Sequence, residues 1–233
     1  MKKTWEPARI LFITGTGTGV GKTLLTGHLL HHLRKTGVRV KAVKPFCSGG
    51  TRDVRFLSQI QEGELQKEVI TPFYFKEPIA PLVAERIHQK FIKLPQVLAH
   101  LRSLSVGCEI LLIEGSGGLL VPLGEGYFVA DLVAQLGSEV IVVAQNKLGT
   151  INHTLLTVRH LQCLKNRRTG IKVVLMGTAK SDDSSGSNGE ILREFLAPVP
   201  LFEVPFLGRN ACTVTAVKKN RKKIAKTLAS ILG

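Results

Sequence analysis

Three short runs hold the residues most able to do chemistry. The first is Gly15-Thr16-Gly17-Thr18-Gly19-Val20-Gly21-Lys22-Thr23. Glycines let backbone N–H groups curl around phosphate oxygens, and a helix starting at such a loop adds positive potential. Lys22 can then bridge terminal phosphates, and the Thr23 hydroxyl can ligate magnesium. Gly19, Val20, Gly21, Lys22, Thr23 and Leu24 are the candidate nucleotide-binding residues here. Gly15 stands one residue further out than the usual spacing, so the loop is a one-residue-longer variant. A mere connecting turn would need the glycines but not Gly-Lys-Thr at the start of a helix.

The second run, Lys44-Pro45-Phe46-Cys47-Ser48-Gly49, brings another lysine to the end of an apolar stretch. A cation there can neutralise charge on a transferred phosphoryl group, which makes Lys44 with Lys22 the candidate catalytic pair. Asp53 follows shortly; it reads as a metal ligand or as the N-cap of a helix, a role Asp performs well. The third run is Glu114-Gly115-Ser116-Gly117-Gly118. A carboxylate leaving an apolar strand lies where nucleotide enzymes hold magnesium, directly or through water. Thr23, Asp53 and Glu114 form the expected metal shell. Gly115, Ser116 and Gly117 leave room for nucleotide against the backbone.

These runs need elements to hold them. Apolar stretches predict strands over 9–14, 38–43, 109–114, 140–144, 172–176 and 201–204. Helical patterns lie over 22–35, 95–104, 128–136, 151–164 and 189–196. Short, fully apolar strands alternating with helices predict an α/β fold, a mainly parallel sheet covered on both faces. With the phosphate loop after strand one, the expectation is a three-layer sandwich of the P-loop NTPase type. Ligands in such sheets sit beyond the carboxyl ends of the strands, which is where all three runs fall. Segment 180–189, rich in Ser, Asp and Gly, reads as an exposed loop. A single domain over 1–233 is the economical expectation.

The 233 residues are 44 % hydrophobic, enough for a continuous core without disulfide or metal staples. No apolar run reaches bilayer-spanning length, and Trp5-Glu6-Pro7 follows Met1-Lys2-Lys3 where a leader would be apolar. Cys47, Cys108, Cys163 and Cys212 form no CxxC pair, which argues against zinc and for reduced packing thiols in a cytoplasmic enzyme. The net charge of +15 comes from 32 basic and 17 acidic residues. Its sharpest cluster, Lys218-Lys219 with Arg221-Lys222-Lys223, falls on an apparent terminal helix. Val214, Val217, Ile224, Leu228, Ile231 and Leu232 form the apolar stripe of that helix. The lysines then read as a solvated face rather than a binding patch.

Taken together, the motifs resemble the dethiobiotin synthetases over almost the whole chain. The likeness runs from Phe12-Ile13-Thr14-Gly15 to Thr23, through Lys44-Pro45 to Gly49, and through Glu114 to Gly118. It continues in Lys147-Leu148-Gly149-Thr150-Ile151-Asn152-His153-Thr154, the most discriminating run, and in Pro205-Phe206-Leu207. The resemblance implies a ligase of biotin biosynthesis that uses ATP and Mg2+. Carbon dioxide is captured on one amine of 7,8-diaminopelargonic acid as a carbamate, which the nucleotide activates as a carbamic-phosphoric anhydride. The neighbouring amine then closes a ureido ring. It further implies that Ser48 and Gly118 hold the substrate, that Pro205, Phe206 and Leu207 border the base, and that Asn152 serves the partner's site in a homodimer. Gly177-Thr178-Ala179 stands where an Asn that reads adenine is often found, so base preference stays open. The alternative is a nucleotide-switched binding protein of the partitioning-ATPase type, acting on DNA or membrane. Those ATPases usually carry an extra lysine early in the phosphate loop, where Thr16 and Gly17 stand here. Neither nucleic acid nor membrane is the expected partner.

Overall fold

The computed structural model describes residues 8–164 and 170–233; the Met1–Pro7 stretch considered for a leader lies outside the described residues. Elements follow in the order β1 (Arg9–Gly15), α1 (Lys22–Lys35), β2 (Val40–Val43), β3 (Phe46–Ser48), α2 (Arg52–Ile60), α3 (Lys67–Ile70), β4 (Phe73–Phe75) and α4 (Pro81–His88). Next come α5 (Leu94–Ser105), β5 (Ile110–Glu114), β6 (Pro122–Gly124), β7 (Tyr127–Phe128), α6 (Val129–Leu136) and β8 (Glu139–Gln145). The chain closes with α7 (Thr150–Cys163), β9 (Ile171–Met176), α8 (Asn188–Leu196), β10 (Leu201–Val204) and α9 (Val214–Leu232).

Six strands form one sheet in the order β10-β9-β8-β1-β5-β2, with every pairing parallel. Because side chains alternate along a strand, each strand feeds two cores. Phe12, Leu111, Ile113, Val140 and Val142 join a cluster with residues of α5, α6, α7 and α8. Leu11, Ile13, Ile110, Leu112, Ile141 and Val143 join the other, with residues of α1, α2 and α9. The result is the expected α/β three-layer sandwich. The predicted apolar stripe on α9 buries Val217, Ile224, Leu228, Ile231 and Leu232, while Lys218, Lys219, Arg221, Lys222, Lys223 and Lys226 are exposed.

Several elements escaped the sequence reading. The short pairs β3–β4 and β6–β7 stand apart from the main sheet, and α3 and α4 follow α2, the helix whose start was expected near Asp53. Each is too short, or too mixed in pattern, for periodicity to identify it. Two of the four cysteines, Cys163 and Cys212, are exposed, so packing accounts only for Cys47 and Cys108. In the middle of α1, Gly27 leaves a notch filled by the Phe56 ring of α2: a Cβ there would stand 2.3 Å from Phe56 Cε1.

Candidate active site

The carboxyl ends of β1, β2 and β5 converge on one group of charges. The phosphate loop between β1 and α1 turns on Gly19 and Gly21, both with positive φ (76° and 105°), a conformation open to glycine at little cost. Gly21 is also the N-cap of α1. Val20 packs back onto Gly15, where a Cβ would lie 2.7 Å from Val20 Cγ2. Leu24, in the first turn of α1, packs at the margin of the core cluster on that face. Lys22 Nζ donates to the Gly17 carbonyl at 2.7 Å, folding over the loop. Burial, only partly offset by the Glu114 carboxylate and reinforced by the charge of Lys44, lowers the Lys22 pKa to about 8.

Lys44 lies between two carboxylates. Its Nζ donates to Glu114 Oε1 at 2.8 Å and to Asp53 Oδ2. Burial, the largest single influence, would favour the neutral amine, but Glu114 and Asp53 together outweigh it and the Lys44 pKa is raised. Thr23 Oγ1 donates to the same Glu114 Oε1 at 2.7 Å. Glu114 is fully buried, and its other oxygen, Oε2, has no hydrogen-bond partner among the described residues. An unpartnered buried carboxylate oxygen is costly. It fits a cation, and the donor set of Thr23 hydroxyl, Glu114 and Asp53 suits Mg2+, which takes one or two carboxylates and completes its shell with water and phosphate. Asp53 sits in the first turn of α2, whose N-cap is Thr51; the N-cap alternative for Asp53 is therefore incorrect, because the helix starts two residues earlier than Asp53 would need.

Beside this cluster opens a cleft of about 380 Å³, lined by Lys44, Ser48, Asp53, Ser116 and Gly117 together with 78–81 and others. The Ser48 hydroxyl is buried with no hydrogen-bond partner among the described residues. Ser116 is differently employed, donating to the Phe46 carbonyl at 2.6 Å and tying the β5 turn to β3. Gly115 is packed under the Phe12 ring, where a Cβ would lie 3.0 Å from Phe12 Cε1. Gly118 lines a second hollow of about 400 Å³ on the far side of the phosphate loop, with Leu156, Thr157 and His160 of α7. Both hollows share Thr18 and Val121.

Asn152 is not brought to either hollow. It is exposed on the first turn of α7. Pro205 and Phe206 follow β10 and are exposed, whereas Leu207 is buried. Gly177 lies against that segment: its N–H donates to the Val204 carbonyl at 2.7 Å, and a Cβ would approach Phe206 N to 2.6 Å. The cleft wall at Pro78-Ile79-Ala80-Pro81 was missed in the sequence reading. Its signal was present, since Pro81 occupies the first position of α4, where proline is favoured.

Solved structures of similar shape include the septum site-determining protein MinD from Pyrococcus horikoshii, complexed with Mg-ADP. It has a TM-score of 0.62 at 20 % identity, covering 96 % of each chain. A ParA family ATPase from Chlorobium tepidum matches with a TM-score of 0.59 at 13 % identity, over 96 % of this chain and 97 % of that one. At such identities these likenesses establish the P-loop fold alone. A family model described as an AAA domain matches residues 9–222. Sequence relatives are much nearer. An ATP-dependent dethiobiotin synthetase BioD from Bacillus subtilis is 37 % identical, over 84 % of this chain and 86 % of that protein. One of the same name from Anaeromyxobacter is 41 % identical, over 76 % and 80 %. Both alignments extend over most of each protein, and through them the chain belongs to the ATP-dependent dethiobiotin synthetase family.

Proposed function

We propose that the chain is a single-domain, ATP-dependent cyclo-ligase that makes dethiobiotin from 7,8-diaminopelargonic acid and carbon dioxide. The observation that carries this reading is Lys44. It is a buried ammonium held by Glu114 and Asp53 at the mouth of the phosphate loop, next to a cleft with the free hydroxyl of Ser48.

One amine of the diamine adds to carbon dioxide and loses a proton, giving a carbamate. The carbamate oxygen attacks the γ-phosphorus of ATP, releasing ADP and forming a carbamic-phosphoric anhydride. The second amine attacks the carbamate carbon and gives up a proton to solvent, inorganic phosphate leaves, and the ureido ring closes. Such a sequence asks for positioning and charge neutralisation rather than a protein nucleophile. The loop amides near Gly19 to Leu24 hold the phosphates, and Lys22 leaves the Gly17 carbonyl to meet their terminal oxygens. Lys44 faces the transferred phosphoryl group and the anhydride. Thr23, Asp53 and Glu114 would hold Mg2+, which offsets phosphate charge when bound. Gly115 to Gly117 border the nucleotide, and Pro205, Phe206 and Leu207 flank its base. Ser48 and Gly118 contact the diamine. Asn152 reaches the site of a second copy, a role favoured by its exposure away from its own cleft. The enzyme works as a cytoplasmic homodimer; among the described residues no helix is long and apolar enough to cross a membrane.

The test is phosphate release from ATP with magnesium and bicarbonate, with and without the diamine, and mass detection of the cyclised product. Diamine-dependent phosphate accompanied by dethiobiotin is expected. Hydrolysis indifferent to the diamine, with no cyclic urea formed, would overturn the reading and return attention to a nucleotide switch.

A further inference from the structure

The loop that joins β8 to α7 is held by side chains from a distant turn. Asp182, in the stretch before α8, accepts the Leu148 N–H on Oδ2 at 2.8 Å. Its other oxygen accepts the Ser184 N–H at 3.1 Å, the Ser184 hydroxyl at 2.6 Å and the Ser185 hydroxyl at 3.0 Å. Asn188, which is 2 % exposed, donates to Asn146 Oδ1 at 2.8 Å, and Asn146 Nδ2 donates to the Ser185 carbonyl at 3.0 Å. The bonds to Asp182 from Ser184, Leu148 and Ser185 hold its carboxyl well below the usual carboxylate range, at about 2, with Ser184 the largest cause and Leu148 the next.

A plainer reading would make this turn the cap of α8. The hydrogen bonds do not fit it: Ser187 at the N-cap makes no side-chain cap bond, and Asp182 instead reaches a loop 34 residues away. What that loop controls is the start of α7. Gly149, its N-cap, has φ 88° and offers no side-chain cap; the loop before it is held by Asp182 at Leu148, by the Asn146 N–H on the Met176 carbonyl at 2.8 Å and by Asn188 on the Lys147 carbonyl at 3.4 Å. The first turn of α7 carries Asn152.

We propose that Asp182 is a positioning residue for the diamine site: by fixing the Leu148 amide it sets the direction of the first turn of α7 and so the placement of Asn152. This rests on the ligase reading above. It acts through backbone placement and touches neither nucleotide nor diamine.

The test compares the full-length wild-type chain with Asp182→Ala and Asp182→Asn, measuring KM for diamine, KM for ATP, kcat and Tm. Loss of a hydrogen bond to a charged group predicts a rise in diamine KM of about tenfold for Asp182→Ala. ATP KM and kcat should stay within about twofold, the change that the rise must clearly exceed. Asp182→Asn keeps one acceptor for the Leu148 N–H but sets an NH2 against the Ser184 N–H, so it should recover only part of the loss. An unchanged diamine KM in Asp182→Ala would overturn the proposal, as would an equal loss in every parameter together with Tm. Backbone hydrogen exchange separates this from failure of the ligase reading. If the wild-type chain forms no dethiobiotin, the reading fails. Faster exchange in Asp182→Ala confined to 147–152 would still support the positioning, whereas unchanged exchange there would sink it.

Discussion

The lysines of this chain occupy two opposite physical settings. At the carboxyl edge of the sheet, Lys22 and Lys44 are 6 % and 8 % exposed and tied to a carbonyl and to two carboxylates. On α9, six cations stand exposed, with no carboxylate in the helix and no ion pair to any of them among the described residues. They also crowd α1: burial first, then Lys35, Arg221 and Lys218, lowers the pKa of His31. A buried ammonium is costly unless paired, so its presence implies a task or a compensating network. An exposed one costs little, and its number says mainly how the molecule keeps apart from its neighbours in solution. The exposed cations thus contribute to the net charge of +15 at the surface, while the two assigned to chemistry in the proposed reaction are buried beneath it.

The sharpest way to break the contrast is Lys44→Ala. It leaves Glu114 and Asp53 without their counter-ion and removes the cation that the proposed mechanism sets against the transferred group. We expect a loss in kcat of at least about a hundredfold with the fold retained by circular dichroism. Near-wild-type turnover would place Lys44 among the incidental lysines. Glu114→Gln should come next, raising the magnesium concentration at half-maximal activity by about tenfold or more, since a charged ligand is replaced by a neutral one. A superimposable metal titration would take Glu114 out of the shell.

A third effect is set by pH. In the free protein the Lys22 ammonium loses its proton near pH 8, whereas Lys44, raised by its carboxylates, keeps its own. Nucleotide phosphates favour the charged form of Lys22. ATP affinity should therefore be level below about pH 8 and weaken above it, by up to about tenfold per pH unit. Calorimetric titration to about pH 9.5 measures this, and a flat profile would show that Lys22 does not meet the phosphates. The smallest effect is expected on α9. Replacing Lys218, Lys222 and Lys226 by Gln should change kcat/KM by less than about twofold, because Coulomb effects of exposed charges at a distance are screened. A tenfold change would give that surface a part in the reaction.

Much of this contrast was legible in the sequence, and for a physical reason. The phosphate loop, the lysine at the end of β2 and the glutamate at the end of β5 lie where apolar strands stop, and parallel sheets bring strand ends together. The six main strands and the stripe of α9 were legible too, because fully buried strands and amphipathic helices leave patterns of fixed period. What escaped was information carried between distant segments. Nothing local to Asp53 tells a first-turn residue of α2 from an N-cap, and nothing local to Asp182 announces a bond to Leu148. Segment 180–189 has the composition of a loop and is largely exposed as expected. Its polar side chains nonetheless organise the segment across strand ends, which composition does not encode.

The notch at Gly27 bears on how this protein can vary. Helix-interior glycines are natural targets for stabilising substitution, since alanine gains about 1 kcal/mol in helix propensity. Here the added methyl would meet the Phe56 ring at 2.3 Å. Helix α1 opens with Lys22 and Thr23 and helix α2 with Arg52 and Asp53, so wedging the two apart would spread Thr23 and Asp53, two of the proposed Mg2+ ligands. Positions 27 and 56 therefore behave as a size-exchange pair: a larger residue at one is tolerated only with a smaller one at the other, and the two are expected to drift together in any library or lineage that keeps the site closed.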